Sequence, residues 1–297
     1  MRSKALIWMP LHLLLALQAA SAQDLVLPPA LVESPAPPDW ATLSRSSAFP
    51  EPFGAEDFRS HEIHPLIPEP LVFDLVRPLG EKKGAAEVNV LTFIPLSKRS
   101  TSLVEGSDPL GIVQVSRDPN NIEWAPEYEV AIADGFAIEF EFPFEGGTLE
   151  AYKFAAQWTF GTALDDQYIH GTQAIVEPTT DFSNWNLVLL YIGGIQFDET
   201  WSALGMIGAR TATGPGIDER RTETLLNFTL FAHTSPWTTL GVEANYARAM
   251  DGLGTLLLTP QAHLEITDNI MLQLGIGIGF ERDDTIPLGI FRAIYSY

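Results

Sequence analysis

Apolar and polar residues alternate with a period of two in this sequence, and this alternation constrains the fold more than any other feature. Between residues 136 and 144, every even position is phenylalanine or isoleucine, and every odd position is alanine, glutamate or proline. A helix would mix these two sets on its surface, whereas a β-strand places them on opposite faces. The segment is therefore predicted to be a strand with one strongly apolar face and one acidic face.

The same pattern recurs from about residue 85 to residue 297. It predicts about twelve strands, at roughly residues 87–96, 121–132, 136–144, 149–160, 168–177, 185–197, 200–211, 221–233, 237–248, 255–266, 269–281 and 286–297. The links after the second, sixth, eighth and tenth strands are short, and those after the first, fifth, seventh and eleventh are longer. An even strand number and two unlike rims are typical of single-chain outer-membrane barrels. We therefore predict an all-β fold, a transmembrane antiparallel β-barrel over residues 85–297.

A water-soluble β-sandwich is the alternative fold for an alternating chain. Sandwich strands recur about every 8 to 12 residues. The strands predicted here recur roughly every 18 residues, which is long enough for a tilted membrane strand and its link. Five tryptophans also lie near the predicted strand ends, where indole rings form girdles at membrane interfaces: Trp124, Trp158, Trp185, Trp201 and Trp237.

The composition narrows the classes of function. The chain has a formal net charge of −21 together with 46% hydrophobic residues. This acidic balance argues against nucleic-acid binding, because few basic residues are available to neutralise phosphates. It suits a barrel whose apolar residues face lipid and whose charged residues face the interior and the loops. The chain has no cysteine, which excludes a disulfide framework.

Residues 1–22 have the pattern of a secretory signal peptide. Arg2 and Lys4 precede an apolar run at residues 5–17, and Ala20-Ser21-Ala22 forms a cleavage site of small residues. No later stretch has 18 consecutive apolar residues, so no transmembrane helix is expected. We predict that the chain is secreted across the inner membrane and inserts into the cell outer membrane.

Residues 23–84 are predicted to form a proline-rich periplasmic leader. Eleven of the 22 prolines lie between residues 23 and 80. Proline removes a backbone donor and fixes φ, so the segment should be extended and irregular. A plug or a partner-binding arm is the alternative role. His61 and His64 form an H-x-x-H pair, but with no third ligand in view we expect no metal site.

Four glutamates of the second and third predicted strands form the main candidate site, a lumen-lining acidic cluster: Glu127, Glu129, Glu139 and Glu141. The turn at residues 133–135 pairs Glu129 with Glu139 and Glu127 with Glu141. Like charges directly opposite one another destabilise a sheet. Neighbouring cations of the protein, bound cations or protonation must therefore relieve the repulsion.

Lys153 on the next strand and Arg292 across the closing seam are the predicted counter-charges of this cluster. One interpretation is a cation-attracting lumen that excludes anions. The other is a structural network, because a barrel of this size is narrow enough for side chains to fill much of its interior. His233 and His263 are also expected to face inward, bonded to carboxylates.

The last predicted strand carries Phe291, Tyr295 and Tyr297 on one face. A terminal strand that finishes on an aromatic residue resembles the C-terminal signal by which the barrel-assembly machinery recognises outer-membrane proteins. We therefore expect that machinery and outer-membrane lipid as partners.

The motifs WAPEYE at residues 124–129, ADGF at 133–136 and EFEFPF at 139–144 resemble the opening hairpin of a family of outer-membrane β-barrel proteins. The strands at residues 275–280 and 290–297 are similar too. That family is labelled transporter-like and is associated with a meta-cleavage pathway of phenol degradation. The resemblance covers residues 85–297 and implies the fold and the location, but it supplies no catalytic residues.

These features predict a passive, porin-like pore for small solutes with an acidic lumen. The alternative is a closed structural or assembly barrel whose leader binds a periplasmic partner. An outer-membrane lipid hydrolase is a more distant alternative, because the recurrent catalytic motifs are absent from the sequence. We therefore expect no enzymatic activity, no cofactor and no nucleic-acid partner.

Overall fold

The computed structural model of this chain describes residues 65, 67–73, 75–96, 121–215, 221–249, 254–281 and 284–297. The predicted signal peptide and the His61 and His64 pair lie outside these residues. The described residues contain fourteen β-strands and no helix. Within the same ranges, no helix is therefore long and apolar enough to cross a membrane.

The described strands form one closed antiparallel sheet. They are β1 (Ala86–Pro95), β2 (Glu123–Ala133), β3 (Phe136–Glu141), β4 (Phe144–Glu145), β5 (Thr148–Leu149), β6 (Lys153–Ala163), β7 (Tyr168–Pro178), β8 (Trp185–Gln196), β9 (Trp201–Thr213), β10 (Arg221–Ser235), β11 (Thr238–Ala249), β12 (Gly254–Thr267), β13 (Ile270–Glu281) and β14 (Asp284–Ser296). All of them except the two-residue β4 and β5 form a ring of twelve, in which β1 pairs with both β14 and β2. The predicted all-β barrel of twelve strands is therefore confirmed.

Several strand limits differ from the sequence prediction. The fourth predicted strand, at residues 149–160, is β6 and runs from Lys153 to Ala163. The third strand ends at Glu141 rather than at residue 144. Pro143 has no N–H to donate, so the chain leaves the ladder there, and residues 144–145 pair with β2 as the separate strand β4. The link after β13 is also shorter than predicted, because β14 already begins at Asp284.

The two rims of the barrel differ in the length of their links. Short turns lie at residues 134–135, 164–167, 197–200, 236–237 and 268–269, and β1 begins and β14 ends at this same rim. We call it the short-turn rim. At the opposite rim, which we call the long-loop rim, lie the strand ends that flank the longer intervals of sequence at residues 96–122, 142–152, 179–184 and 214–220.

The barrel has apolar side chains on its outer face and polar side chains on its inner face, which is the reverse of a water-soluble protein. Large apolar side chains lie exposed on the outside, for example Leu189, Phe228 and Ile276. Polar side chains such as Gln173 and Glu243 are fully buried inside. A barrel surrounded by hydrocarbon requires this arrangement, because lipid cannot hydrogen-bond to polar groups on its outer surface.

The last part of the proline-rich segment lies inside the barrel. We call its described residues 67–73 and 75–84 the plug segment. Near the short-turn rim, Gly84 N donates to Ala131 O at 2.8 Å. Deeper in, Leu71 N donates to Glu243, the sixth residue of the twelve-residue β11. The plug segment thus reaches about halfway through the barrel, whereas the location of residues 23–64 stays a prediction.

The apolar core lies between the plug segment and the barrel wall. Leu75 and Val76 belong to a cluster of buried residues that includes Ile169, Ile192, Leu204 and Phe231. Leu71 and Val72 belong to a second cluster, with Leu91, Phe93, Leu257 and Ile290. Full burial of such a side chain is worth about 1.5–3 kcal/mol relative to exposure. The plug segment and the barrel wall form one compact unit.

Candidate functional site

The acidic cluster of β2 and β3 lies on the interior face of the barrel wall. The strand register pairs Glu127 with Glu141 and Glu129 with Glu139, as the turn at residues 133–135 predicts. All four residues are almost fully buried, between 0% and 4% exposed. Because the polar faces of two adjacent strands coincide, the cluster is a ladder of opposed carboxylates.

Lys153 lies beside one half of this ladder. Its Nζ contacts Glu141 Oε2 and lies 3.2 Å from Glu139 Oε1. The register explains the contact, since β6 pairs with β3 and places Lys153 directly opposite Glu141. The ammonium group therefore offsets the repulsion between the β3 carboxylates and their β2 partners.

Arg292 lies beside the other half, across the closing seam of the barrel. Its side chain is 0% exposed, and its Nη2 lies 2.9 Å from Glu127 Oε2 and 3.7 Å from Glu129 Oε1. Its Nε donates to Asn89 Oδ1 at 3.2 Å. Arg292 on β14 thus reaches over β1 to β2, which it can do only because the sheet is closed.

A second carboxylate group forms where the plug segment meets the wall. Carboxylate oxygens of Glu69, Glu87 and Glu129 lie within 4.8 Å of one another. Arg77 of the plug segment contacts Glu87, and Arg292 Nη1 lies 3.8 Å from Glu69 Oε2. These guanidinium groups supply the positive charge that a metal ion would otherwise bring to such a group.

Arg77 stays charged although it is buried. Burial lowers the pKa of its guanidinium, but the neighbouring carboxylates of Glu69, Glu87 and Glu81 raise it, and the net effect lifts the pKa above its ordinary value. Its backbone carbonyl accepts a hydrogen bond from Gln157 Nε2 at 2.6 Å. Arg77 is thus bound to the barrel wall by its ion pair with Glu87 and by the hydrogen bond from Gln157.

Glu243 binds residues 71–73 of the plug segment, which we call the apex. Its carboxylate accepts the backbone N–H groups of Leu71 at 2.9 Å, Val72 at 3.1 Å and Phe73 at 2.7 Å. Asn245 Nδ2 also donates to it at 2.9 Å and Gln261 Nε2 at 3.2 Å. A carboxylate that accepts several backbone N–H groups is a strong, charge-assisted anchor.

A cavity of about 70 Å³ lies against the apex, in the half of the barrel nearer the long-loop rim. Its wall combines apolar side chains with charged ones. The lining includes Val72, Phe73, Phe93, Glu141, Lys153 and Arg210. Arg210 is held by Glu223, whose Oε2 accepts its Nε–H at 2.9 Å. The cavity thus carries both signs of charge beside an apolar surface.

The two interior histidines serve as hydrogen-bonding groups. His263 is buried, and its Nε2 lies 2.9 Å from Gln261 Oε1. His233 Nδ1 lies 3.1 Å from Thr239 Oγ1. Among the described residues, no hydrogen bond joins a serine to either ring.

The sequence located the wall residues of the site but not the residues that the plug segment adds. Glu127, Glu129, Glu139, Glu141, Lys153 and Arg292 all point to the interior, whereas Phe291, Tyr295 and Tyr297 lie on the outer face. Sequence reasoning missed Glu69 and Arg77, two charged residues of the plug segment. Their contacts join segments up to 223 residues apart, as between Glu69 and Arg292, for which a local pattern gives no signal.

Known proteins resemble this chain in structure only. No protein-family model matches the sequence, and no curated protein matches it. The KdgM porin in complex with disordered oligogalacturonate matches with a TM-score of 0.50 and 9% identity, over 71% of this chain and 99% of that chain. The NanC porin matches with a TM-score of 0.50 and 9% identity, over 71% and 98%.

An outer membrane channel from Pseudomonas putida F1 matches with a TM-score of 0.50 and 12% identity, over 73% of this chain and 97% of that chain. At these identities the likeness concerns the fold alone. This chain therefore has the barrel fold found in outer-membrane porins and channels.

Proposed function

We propose that this protein is a passive outer-membrane pore for small solutes, with an acidic lumen that favours cations. The observation that carries the proposal is the charge of the interior. Among the described residues with buried side chains, nine are glutamates and three are arginines. Charges of one sign in a cleft with low-dielectric walls raise the local concentration of oppositely charged solutes.

In this proposal the plug segment regulates the pore. It fills the interior from the short-turn rim to Glu243, so solutes pass only when it is displaced. The alternative function, a closed structural barrel, would keep the plug segment in place permanently. Conduction therefore separates the two functions.

Single-channel current through purified protein in a planar bilayer tests the proposal. We expect cation-selective current, measured as a reversal potential in a potassium chloride gradient. The substitution Glu139→Gln removes one buried carboxylate, so the reversal potential should move toward zero and the cation current should fall. Glu199→Gln is the matched control, because Glu199 lies exposed in the turn between β8 and β9.

Two results would overturn the proposal. Silence at every voltage would favour the closed barrel, and anion-selective current would contradict the role of the glutamates. The outer-membrane location, the signal peptide, the assembly signal and a non-enzymatic role belong to the same proposal. The resemblance to the transporter-like family linked to phenol degradation stays a prediction and identifies no solute.

A further inference from the structure

Glu243 is a buried carboxylate that no cation neutralises among the described residues. It is 0% exposed, and its partners there are the three apex N–H groups, Asn245 and Gln261, all of them neutral. A buried charge without an opposite charge is expensive unless a ligand or a conformational role requires it. The surroundings of Glu243 indicate which ligand would fit.

We propose that Glu243 is the binding group for the ammonium head of an alkylammonium solute, and that the apex of the plug segment occupies this site in the closed state. The inference rests on the proposed function, since it assigns a solute class to the same lumen. A primary ammonium group has three N–H donors and one positive charge. Its N–H groups are equal in number to the three backbone donors of the apex, and it also brings the positive charge that Glu243 lacks.

Further acceptors lie beside the carboxylate. Asn245, whose amide nitrogen donates to Glu243, has a buried Oδ1 without a hydrogen-bond partner among the described residues. Thr259, directly opposite Glu243 in the strand register, has a buried Oγ1 that also lacks a hydrogen-bond partner among the described residues. Buried polar atoms in native proteins are usually hydrogen-bonded. An ammonium group that bonds to Glu243 has a third N–H available for one of these oxygens.

The surroundings of the apex also define the apolar part of the solute. The side chains of Leu71 and Val72 pack in the cluster formed with Leu91, Phe93, Leu257 and Ile290. When the apex leaves, these wall residues present an apolar surface next to Glu243. An alkyl chain of about four carbons has the apolar content of the leucine side chain that it replaces. The solute class is therefore a primary alkylammonium.

Solute and apex exclude each other in this arrangement, because both require the same carboxylate. The apparent affinity for the solute therefore depends on how firmly the apex is held. Loosening the apex should tighten solute binding, and locking the plug segment should abolish it. This relation distinguishes an occupied binding site from general attraction of cations.

Calorimetric titration of the purified whole chain in detergent micelles with n-butylammonium tests the assignment. We expect saturable binding that Glu243→Gln weakens about tenfold or more. Glu265→Gln, which removes the same charge from an exposed position of β12, should leave the affinity unchanged. Tetramethylammonium carries the same charge without N–H donors, so it should bind about tenfold more weakly or worse.

Two further variants keep the test decisive if Glu243→Gln fails to fold. Phe73→Pro removes the 2.7 Å donor to Glu243 Oε1 and should tighten n-butylammonium binding about tenfold. The double variant Ile67→Cys with Gly194→Cys adds a bridge that holds the plug segment to β8. It should bind n-butylammonium only after reduction.

The bridge is feasible because a Cβ added at Gly194 would lie 2.8 Å from Ile67 Cγ1, an atom that the substitution of Ile67 removes. Equal binding by wild type and Glu243→Gln would overturn the assignment. Equal binding by the oxidised and reduced double variant would overturn it as well. Since binding is measured without current, a silent pore with intact n-butylammonium binding contradicts only the proposed function.

Discussion

At the scale of single residues, Arg292 links three parts of the molecule: its own strand β14, strand β2 and the plug segment. It is fully buried and lies near carboxylates of β2 and of the plug segment. Removing one partner of a buried ion pair leaves uncompensated charge and is strongly destabilising. Arg292→Gln should therefore lower the free energy of unfolding by about 3–5 kcal/mol, measured by urea titration in detergent micelles.

Arg248→Gln is the matched control for this prediction. Arg248 is exposed on β11, so the same change of charge should alter the free energy of unfolding by less than about 0.5 kcal/mol. Equal losses in the two variants would show that Arg292 is not a specific link.

Gly135 occupies a backbone conformation that favours glycine. Its φ is +69°, and a Cβ added there would lie 3.3 Å from Thr159 Cβ. Gly135→Ala should lower the free energy of unfolding by about 1 kcal/mol or more, because the turn between β2 and β3 would be strained. Gly147→Ala, where an added Cβ meets nothing within 4 Å, is the control and should have little effect on the urea midpoint.

At the scale of elements, the loop between β7 and β8 contains an acid-sensitive group. The hydroxyl of Thr179 and the backbone N–H of Ser183 donate to Asp181 and lower the pKa of its carboxyl to about 2. Because the folded pKa lies below the unfolded value, the stabilisation is present above about pH 4. It is lost as the pH falls toward 2.

A titration of the Asp181 carboxyl carbon by nuclear magnetic resonance checks this prediction. The midpoint should lie near 2 in the wild type and rise toward the ordinary value of about 3.9 in Thr179→Ala, which removes one donor. An ordinary midpoint in the wild type would contradict the hydrogen-bonded loop.

The strands were predictable from the sequence because each one carries its own signal. In β2 and β3 the alternation fixes the faces, and the short turn fixes the register of Glu129 with Glu139. The plug segment has no such signal, since it is rich in proline and irregular. Its path depends on contacts such as Leu71 with Glu243, which only the closed barrel brings together.

In the candidate site, the residues of the barrel wall were predictable from the sequence and those of the plug segment were not. Lys153 follows from strand neighbours, and Arg292 follows from closure of the ring. Glu69 and Arg77 lie in a segment whose composition indicated only an extended chain. The sequence therefore located the acids on the wall, whereas the charges that the plug segment adds required the three-dimensional fold.

At the scale of the whole molecule, we propose that the barrel wall forms the pore and that the plug segment closes it. The wall provides a closed cylinder with an apolar outside and an acidic inside. The plug segment fills that interior and is held by Glu243 and by the ion pairs of Glu69 and Arg77. Conduction should therefore depend on whether the plug segment can leave.

Single-channel recording of the Ile67→Cys and Gly194→Cys double variant tests this claim most directly. The wild-type chain has no cysteine, so the added bridge is the only disulfide that the chain can form within itself. We predict no current while the bridge is oxidised and cation-selective current after reduction in the same membrane. Equal current in both states would contradict the plug, and silence in both states would contradict the pore.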